Sequence, residues 1–178
     1  MKVFGVGHSN RSADAFVAIL RTHGIGAVAD VRAFPRSRRW PQFDGDALAA
    51  ALAEAGIAYH WLGAELGGYR KSRGPSRHTS LSEGFRAYAD HMETAGFRGG
   101  VARLLAIARE APTACLCAEK DWRTCHRRHL SDRLVALEGV EVVHLVDDAT
   151  TEPHRIDPRA RLVDGSLVYD RGRQARLF

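Results

Sequence analysis

The stretch from Thr113 to Arg128, TACLCAEKDWRTCHRR, constrains the fold more than any other part of the chain. Its first half is a short apolar run preceded by Pro112, which predicts a strand buried on both faces in a parallel sheet. Glu119, Lys120, Asp121, Arg123, Cys125, His126 and Arg127 then crowd one polar turn, and Leu130, Leu134 and Leu137 follow at helical spacing. Strand, polar turn and helix in that order predict a ligand site at the end of the strand. Open α/β sheets bind there, because helix N-termini offer unpaired N–H groups.

The rest of the chain repeats this alternation. Lys2 to Val6 reads as a strand, Ser12 as the N-cap of a helix carrying Ala13, Phe16, Val17 and Leu20, and Gly24 as its end. A second strand is expected over Ala27 to Val31, a helix marked by Leu48 and Leu52 and closed by Gly56, and a third strand over Ile57 to Leu62. Gly63 to Thr79 reads as a long loop, of the length that in compact domains tends to carry function. Two helices, a fourth strand, its helix and a fifth strand over Val140 to Val146 complete the pattern. The expected fold is α/β, a doubly wound, mostly parallel five-stranded sheet of order 3-2-1-4-5. Asp164-Gly165 between apolar runs adds a C-terminal hairpin, followed by a tail. Residues 1–149 are expected to form the catalytic-type α/β unit, with 150–178 appended to it. Strands one and four would be neighbours, so that Gly7-His8-Ser9 faces Cys117-Glu119 across one crevice.

Composition narrows the setting. The chain has 178 residues, 45% hydrophobic and 26% charged, with no apolar run long enough to span a membrane. The opening MKVFGVGHS enters a strand directly, so no signal peptide is expected. Three cysteines do not make a disulfide framework and point to a reducing, cytoplasmic setting. A formal charge of +5 favours a polyanionic partner.

Four constellations could carry chemistry. Cys117 and Arg123 stand at the spacing of thiol phosphatases and rhodaneses, but Glu119 and Asp121 in the same turn would repel a phosphate. Cys117, Cys125, His126 and His8 could together hold a metal, although no C-x-x-C or H-x-x-x-H spacing supports one, and no cofactor is expected. Asp30 and Glu119 would end strands two and four, where two acids near His8 can divide general acid and base work. The alternative pairs Asp30 with Arg32 or Arg11, and Glu119 with Arg127. Finally, Arg36, Arg38, Arg39, Lys71 and Arg73 are interleaved with Trp40, Phe43 and Tyr69, a mixture suited to phosphates and bases. The terminal Gln174, Leu177 and Phe178 resemble the short peptides by which bacterial DNA-processing enzymes dock on the replicative sliding clamp.

Together, Gly7-His8-Ser9-Asn10-Arg11, Asp30-Val31-Arg32, Pro35-Arg36-Ser37, Leu66-Gly67-Gly68-Tyr69-Arg70 and Cys117-x-Glu119…Cys125-His126-Arg127 resemble the domain-of-unknown-function family 488. The resemblance implies a fold and a site rather than a reaction. It adds Cys125 and His126 to the site and leaves Arg123 incidental. The expected function is a DNA-directed enzyme that hydrolyses a base–sugar or phosphodiester bond in repair or modification. Glu119 and Asp30 would act as acid, base or stabiliser, with His8, Ser9 and Asn10 positioning the reacting group. Arg11, Arg32, Arg70 and Arg127 would hold phosphates, and Tyr69 or Trp40 would stack on an extruded base. Two other readings stay open: a non-catalytic DNA-binding factor recruited by the clamp, and a small-molecule or phosphate-ester enzyme using the Cys117 thiolate or a metal.

Overall fold

The computed structural model describes residues 1–171; Gln174, Leu177 and Phe178, and with them the clamp-peptide reading, lie outside the described residues. Five parallel strands form the sheet: β1 (Lys2–Gly7), β2 (Ala27–Asp30), β3 (Ala58–Trp61), β4 (Thr113–Cys117) and β5 (Glu141–Leu145). A short sixth, β6 (Thr151–Pro153), pairs antiparallel with β5. The order is β3-β2-β4-β1-β5-β6.

The α/β class and mostly parallel sheet match the sequence expectation, but β4 and β1 exchange places relative to the expected 3-2-1-4-5. Packing gives the reason. All five residues of β4 are buried, with Ala114 and Leu116 in one core and Cys115 and Cys117 in the other, as the two-residue strand period requires. That strand belongs at the centre. β1 instead brings Gly5 against β5, where a Cβ would lie 2.5 Å from the His144 ring nitrogen. β1 and β4 remain neighbours, so the crevice survives the exchange.

Helices cover both faces. α1 (Ala13–Thr22) and α2 (Gly45–Glu54) bury Phe16, Ile19, Leu20, Leu48 and Leu52 against Val6, Val28 and Leu116. The Ser12 hydroxyl accepts from the Ala15 amide at the start of α1, and Gly24 follows its end with φ of 64°. On the other face lie α3 (Gly63–Leu66), α4 (Glu83–Met92), α5 (Ala95–Glu110) and α6 (Arg127–Glu138), contributing Leu66, Tyr88, Leu104, Leu130 and Leu134. The hairpin is β7 (Ala160–Val163) and β8 (Ser166–Tyr169), turned by Asp164 and Gly165, both with positive φ as a type I′ turn demands. It packs through Leu167 and Tyr169 on Leu81 and Ala89. No helix among the described residues is long and apolar enough to cross a membrane.

Candidate functional site

Past its last paired residue, β1 stays joined to the turn after β4. The His8 amide donates to the Cys117 carbonyl at 3.0 Å and the Ser9 amide to the Ala118 carbonyl at 2.9 Å. Gly7 permits this closeness, since a Cβ there would collide with the Glu119 carbonyl. The two turns therefore share one cavity of about 490 Å³, large enough for a small ligand. His8, Arg32, Cys117, Glu119 and His126 line its polar side, and Phe34, Arg36, Ser37, Trp40 and Tyr69 line the side formed by the loops after β2 and β3.

His8 is buried and stacks on Phe43 at a centroid distance of 4.3 Å. Its Nδ1 lies 2.8 Å from the Ser9 carbonyl, while its Nε2 faces the Arg32 guanidinium at 3.4 Å. The first contact needs a hydrogen on Nδ1, which leaves Nε2 as the acceptor. Burial pushes the imidazole down to about 4, with the Arg32 charge adding to that effect, so His8 is neutral at neutral pH.

Asp30 is fully buried and turned away from the cavity lining. Its carboxylate takes the Arg32 backbone amide, the Arg32 guanidinium at 2.5 to 3.1 Å and the Tyr59 hydroxyl at 2.8 Å. Burial and the adjacent carboxylate push the Tyr59 hydroxyl well above its ordinary value. Asp30 thus orients Arg32, whose guanidinium also donates to the Phe43 carbonyl. Glu119 is the one carboxylate among the cavity-lining residues.

Three of the expected phosphate-holding arginines are spent on backbone carbonyls. Arg11 donates to Gly7 and Val146, tying the ends of β1 and β5 together. Arg70 donates to Gly67, Gly63 and Ala64 and closes α3. Arg127, almost fully buried, donates to the Glu119 carbonyl at 2.7 Å and so holds the turn after β4. Carbonyls at strand and helix ends have no ladder partner, and these guanidinium groups supply one. Arg123 pairs with Asp121 and Glu152 away from the cavity, so the Cys117–Arg123 spacing forms no phosphate loop. Ser9 and Asn10 lie beside the cavity and do not line it.

Phe34 carries no signal in the sequence that marks it as a site residue. It is 70% exposed, Tyr69 is 87% exposed, and their ring centroids are 6.4 Å apart at the cavity rim. Tyr69 holds φ of 56°, a left-handed conformation that costs a non-glycine residue roughly 1–2 kcal/mol. Such local strain concentrates at ligand clamps. Ser9, next to His8, has φ of 54°, so two of the three non-glycine positive-φ residues among those described flank this cavity. Arg38, Arg39, Lys71 and Arg73 are exposed and do not line the cavity, Arg36 is exposed and does, and the Arg39 guanidinium sits 5.5 Å from the centre of the Trp40 ring.

Behind Glu119, Cys117, Cys125 and His126 converge in the wall between this cavity and a second hollow of about 290 Å³. The Cys117 thiol donates to Glu119 Oε2 at 2.9 Å, and both cysteine sulfurs lie 3.7 Å from His126 Nδ1. Hydrogen bonding with Cys125 and burial hold the Cys117 thiol well above the ordinary thiol value. The Cys125 thiol is held well below it: burial opposes this, but its contacts with Cys117 and His126 and the Arg127 charge prevail. His8 stands outside this group, because both its ring nitrogens are engaged elsewhere.

The sequence model of the family described as Domain of unknown function DUF488 matches residues 12–134. No curated protein and no solved structure matches the chain.

Proposed function

The chain belongs to the DUF488 family, whose description assigns no reaction, and from its site we propose that it is a DNA-directed hydrolase acting on a base–sugar bond. The observation that carries this reading is the rim-and-floor arrangement of one cavity: two exposed aromatics over a polar floor with a single carboxylate. A planar ring sandwiched between Phe34 and Tyr69 needs two stacking distances of about 3.5 Å each. The observed centroids are 6.4 Å apart with the rings tilted by 41°, so a sandwich needs a slight widening and a rotation of these exposed side chains. The cavity volume suits one extruded nucleoside rather than a duplex.

In this reading Glu119 is the acid–base group. It activates the attacking water or protonates the departing base, and no second lining carboxylate competes for the role. Arg32, fixed by Asp30, offers positive charge at the floor, and neutral His8 keeps it in place. Arg36, Arg38, Arg39, Lys71 and Arg73 supply the backbone contacts that position DNA without reading its sequence. A phosphodiester substrate would use the same carboxylate, but gives the aromatic rim no role.

The test is a screen of the purified protein, with and without chelator, against modified and damaged oligonucleotides in single- and double-stranded form. Release of a base or a strand break from one substrate is expected. Binding with steep salt dependence and no product on any substrate would make the protein an accessory DNA-binding factor instead. The clamp partner is proposed on the same footing. Deleting residues 174–178 should reduce clamp pull-down, and unchanged pull-down dismisses it.

A further inference from the structure

We propose that Cys117, Cys125 and His126 bind one thiolate-preferring divalent cation, zinc foremost, in a three-ligand site that opens on the cavity beside Glu119. The donor atoms of these residues all lie within 4.8 Å of one another, and both cysteines are buried. A tetrahedral zinc with bonds of about 2.3 Å to sulfur and 2.0 Å to nitrogen sets sulfur–nitrogen edges of about 3.5 Å. The two observed edges, each 3.7 Å, are close to that without rearrangement.

The hydrogen bonding selects the same arrangement. His126 Nε2 lies 2.9 Å from the Val31 carbonyl, which needs a hydrogen on Nε2 and leaves the lone pair on Nδ1. That lone pair faces both thiols. The Cys117 thiol donates to Glu119, so without a cation this lone pair serves Cys125 alone, whereas a cation on its axis engages all three groups. Ligating histidines are held in this way, by a carbonyl on the nitrogen that does not bind. The Arg127 amide donates to Cys125 Sγ at 3.4 Å, a contact that stabilises a thiolate. Charge also closes, since two thiolates offset a divalent cation.

Three protein ligands leave a fourth position, the pattern of catalytic rather than structural zinc sites. Glu119 Oε2, 2.9 Å from Cys117 Sγ, is the carboxylate next to it. A metal-bound water that passes its proton to Glu119 becomes a hydroxide nucleophile at neutral pH. That step rests on the hydrolase reading; the metal site itself does not. The other cluster of candidate donors, His129, Asp132 and Asp157, offers no comparable site, because Asp132 and Asp157 already satisfy His154, Tyr169, Arg128 and Arg159.

The experiment is metal loading of the full-length protein. Zinc should bind at one equivalent, with two sulfur neighbours and one imidazole by X-ray absorption at the zinc edge. Cobalt(II) should give a thiolate-to-cobalt charge-transfer band and the visible bands of tetrahedral cobalt. Cys117→Ser and Cys125→Ser should each lose that band, and Cys115→Ala, altering a core cysteine outside the cluster, should keep it. Zinc with only nitrogen and oxygen neighbours, or no stoichiometric binding by wild type, overturns the proposal. Both readouts use wild type, so they decide even where a serine variant fails to fold. Metal-loaded wild type that forms no product on any oligonucleotide would count against the hydrolase and leave the site standing.

Discussion

Gly7 and His8 show how much of the site depends on single residues. Gly7→Ala would drive a methyl group into the Glu119 carbonyl, which belongs to rigid backbone. Overpacking of this kind costs about 1–3 kcal/mol. Gly24→Ala meets no atom within 4 Å and is strained only by its φ of 64°, so it should cost roughly 1 kcal/mol. Urea denaturation of both variants checks the ranking, and an equal loss would remove the special role of Gly7. For His8 the sign follows from its lowered value of about 4 against an ordinary 6.5. The unfolded chain takes up the proton first, so the contribution of His8 is fully present above pH 6.5. It is lost as pH falls from there towards 4. Stability measured against pH should show that decline, and His8→Phe should flatten part of it. The sequence already held the clue to Asp30: residues two apart on a strand point the same way, so Asp30 and Arg32 at a strand end meet each other before any substrate. Phe34 left no such signal, because exposure of a lone aromatic depends on the path of its loop.

At the scale of elements, the alternation of strands and helices was legible because apolar spacing and caps are local. Ser12, Gly24 and Gly56 marked their boundaries correctly, and Asp164-Gly165 marked the hairpin. Strand order was not, since two buried parallel strands carry the same apolar pattern and only their packing partners distinguish them. The close approach of Gly5 to His144 is such a partner, and it pairs residues far apart in sequence. β6 escaped notice for a related reason: three residues containing a proline carry no period. Its role emerges in the network around Asp132. The carboxylate receives His154 at 2.8 Å, the Tyr169 hydroxyl at 2.9 Å and the Asp157 amide at 3.0 Å, joining α6 to the hairpin. Asp132→Ala should cost about 3 kcal/mol by leaving those buried donors unpaired. Faster amide exchange in β8 than in β4 would locate the damage, and uniform exchange would deny the network that role. Burial opposes ionisation of Asp132, yet the His129 ring 3.7 Å away and the hydrogen bond from His154 hold its carboxyl down to about 2. Its contribution therefore persists above pH 3.8 and is lost as pH falls through about 2.

For the whole molecule, a net charge of +5 becomes directional once the loops after β2 and β3 place Arg36, Arg38, Arg39, Lys71 and Arg73 on the surface beside the cavity. Replacing Arg36, Arg38 and Arg39 with alanine should weaken DNA binding for all sequences. It should also reduce the slope of log affinity against log salt by about 3. An unchanged slope would mean that DNA, if bound, lies elsewhere. A DNA hydrolase of this design needs one cavity both to hold the substrate and to carry out the chemistry through Glu119. The direct measurement is single-turnover product formation beside binding affinity, for wild type and Glu119→Gln, on the substrate that responds in the screen. The expected result is affinity within a few-fold and turnover lost in the variant by about 100-fold or more. Equal turnover by Glu119→Gln would contradict it.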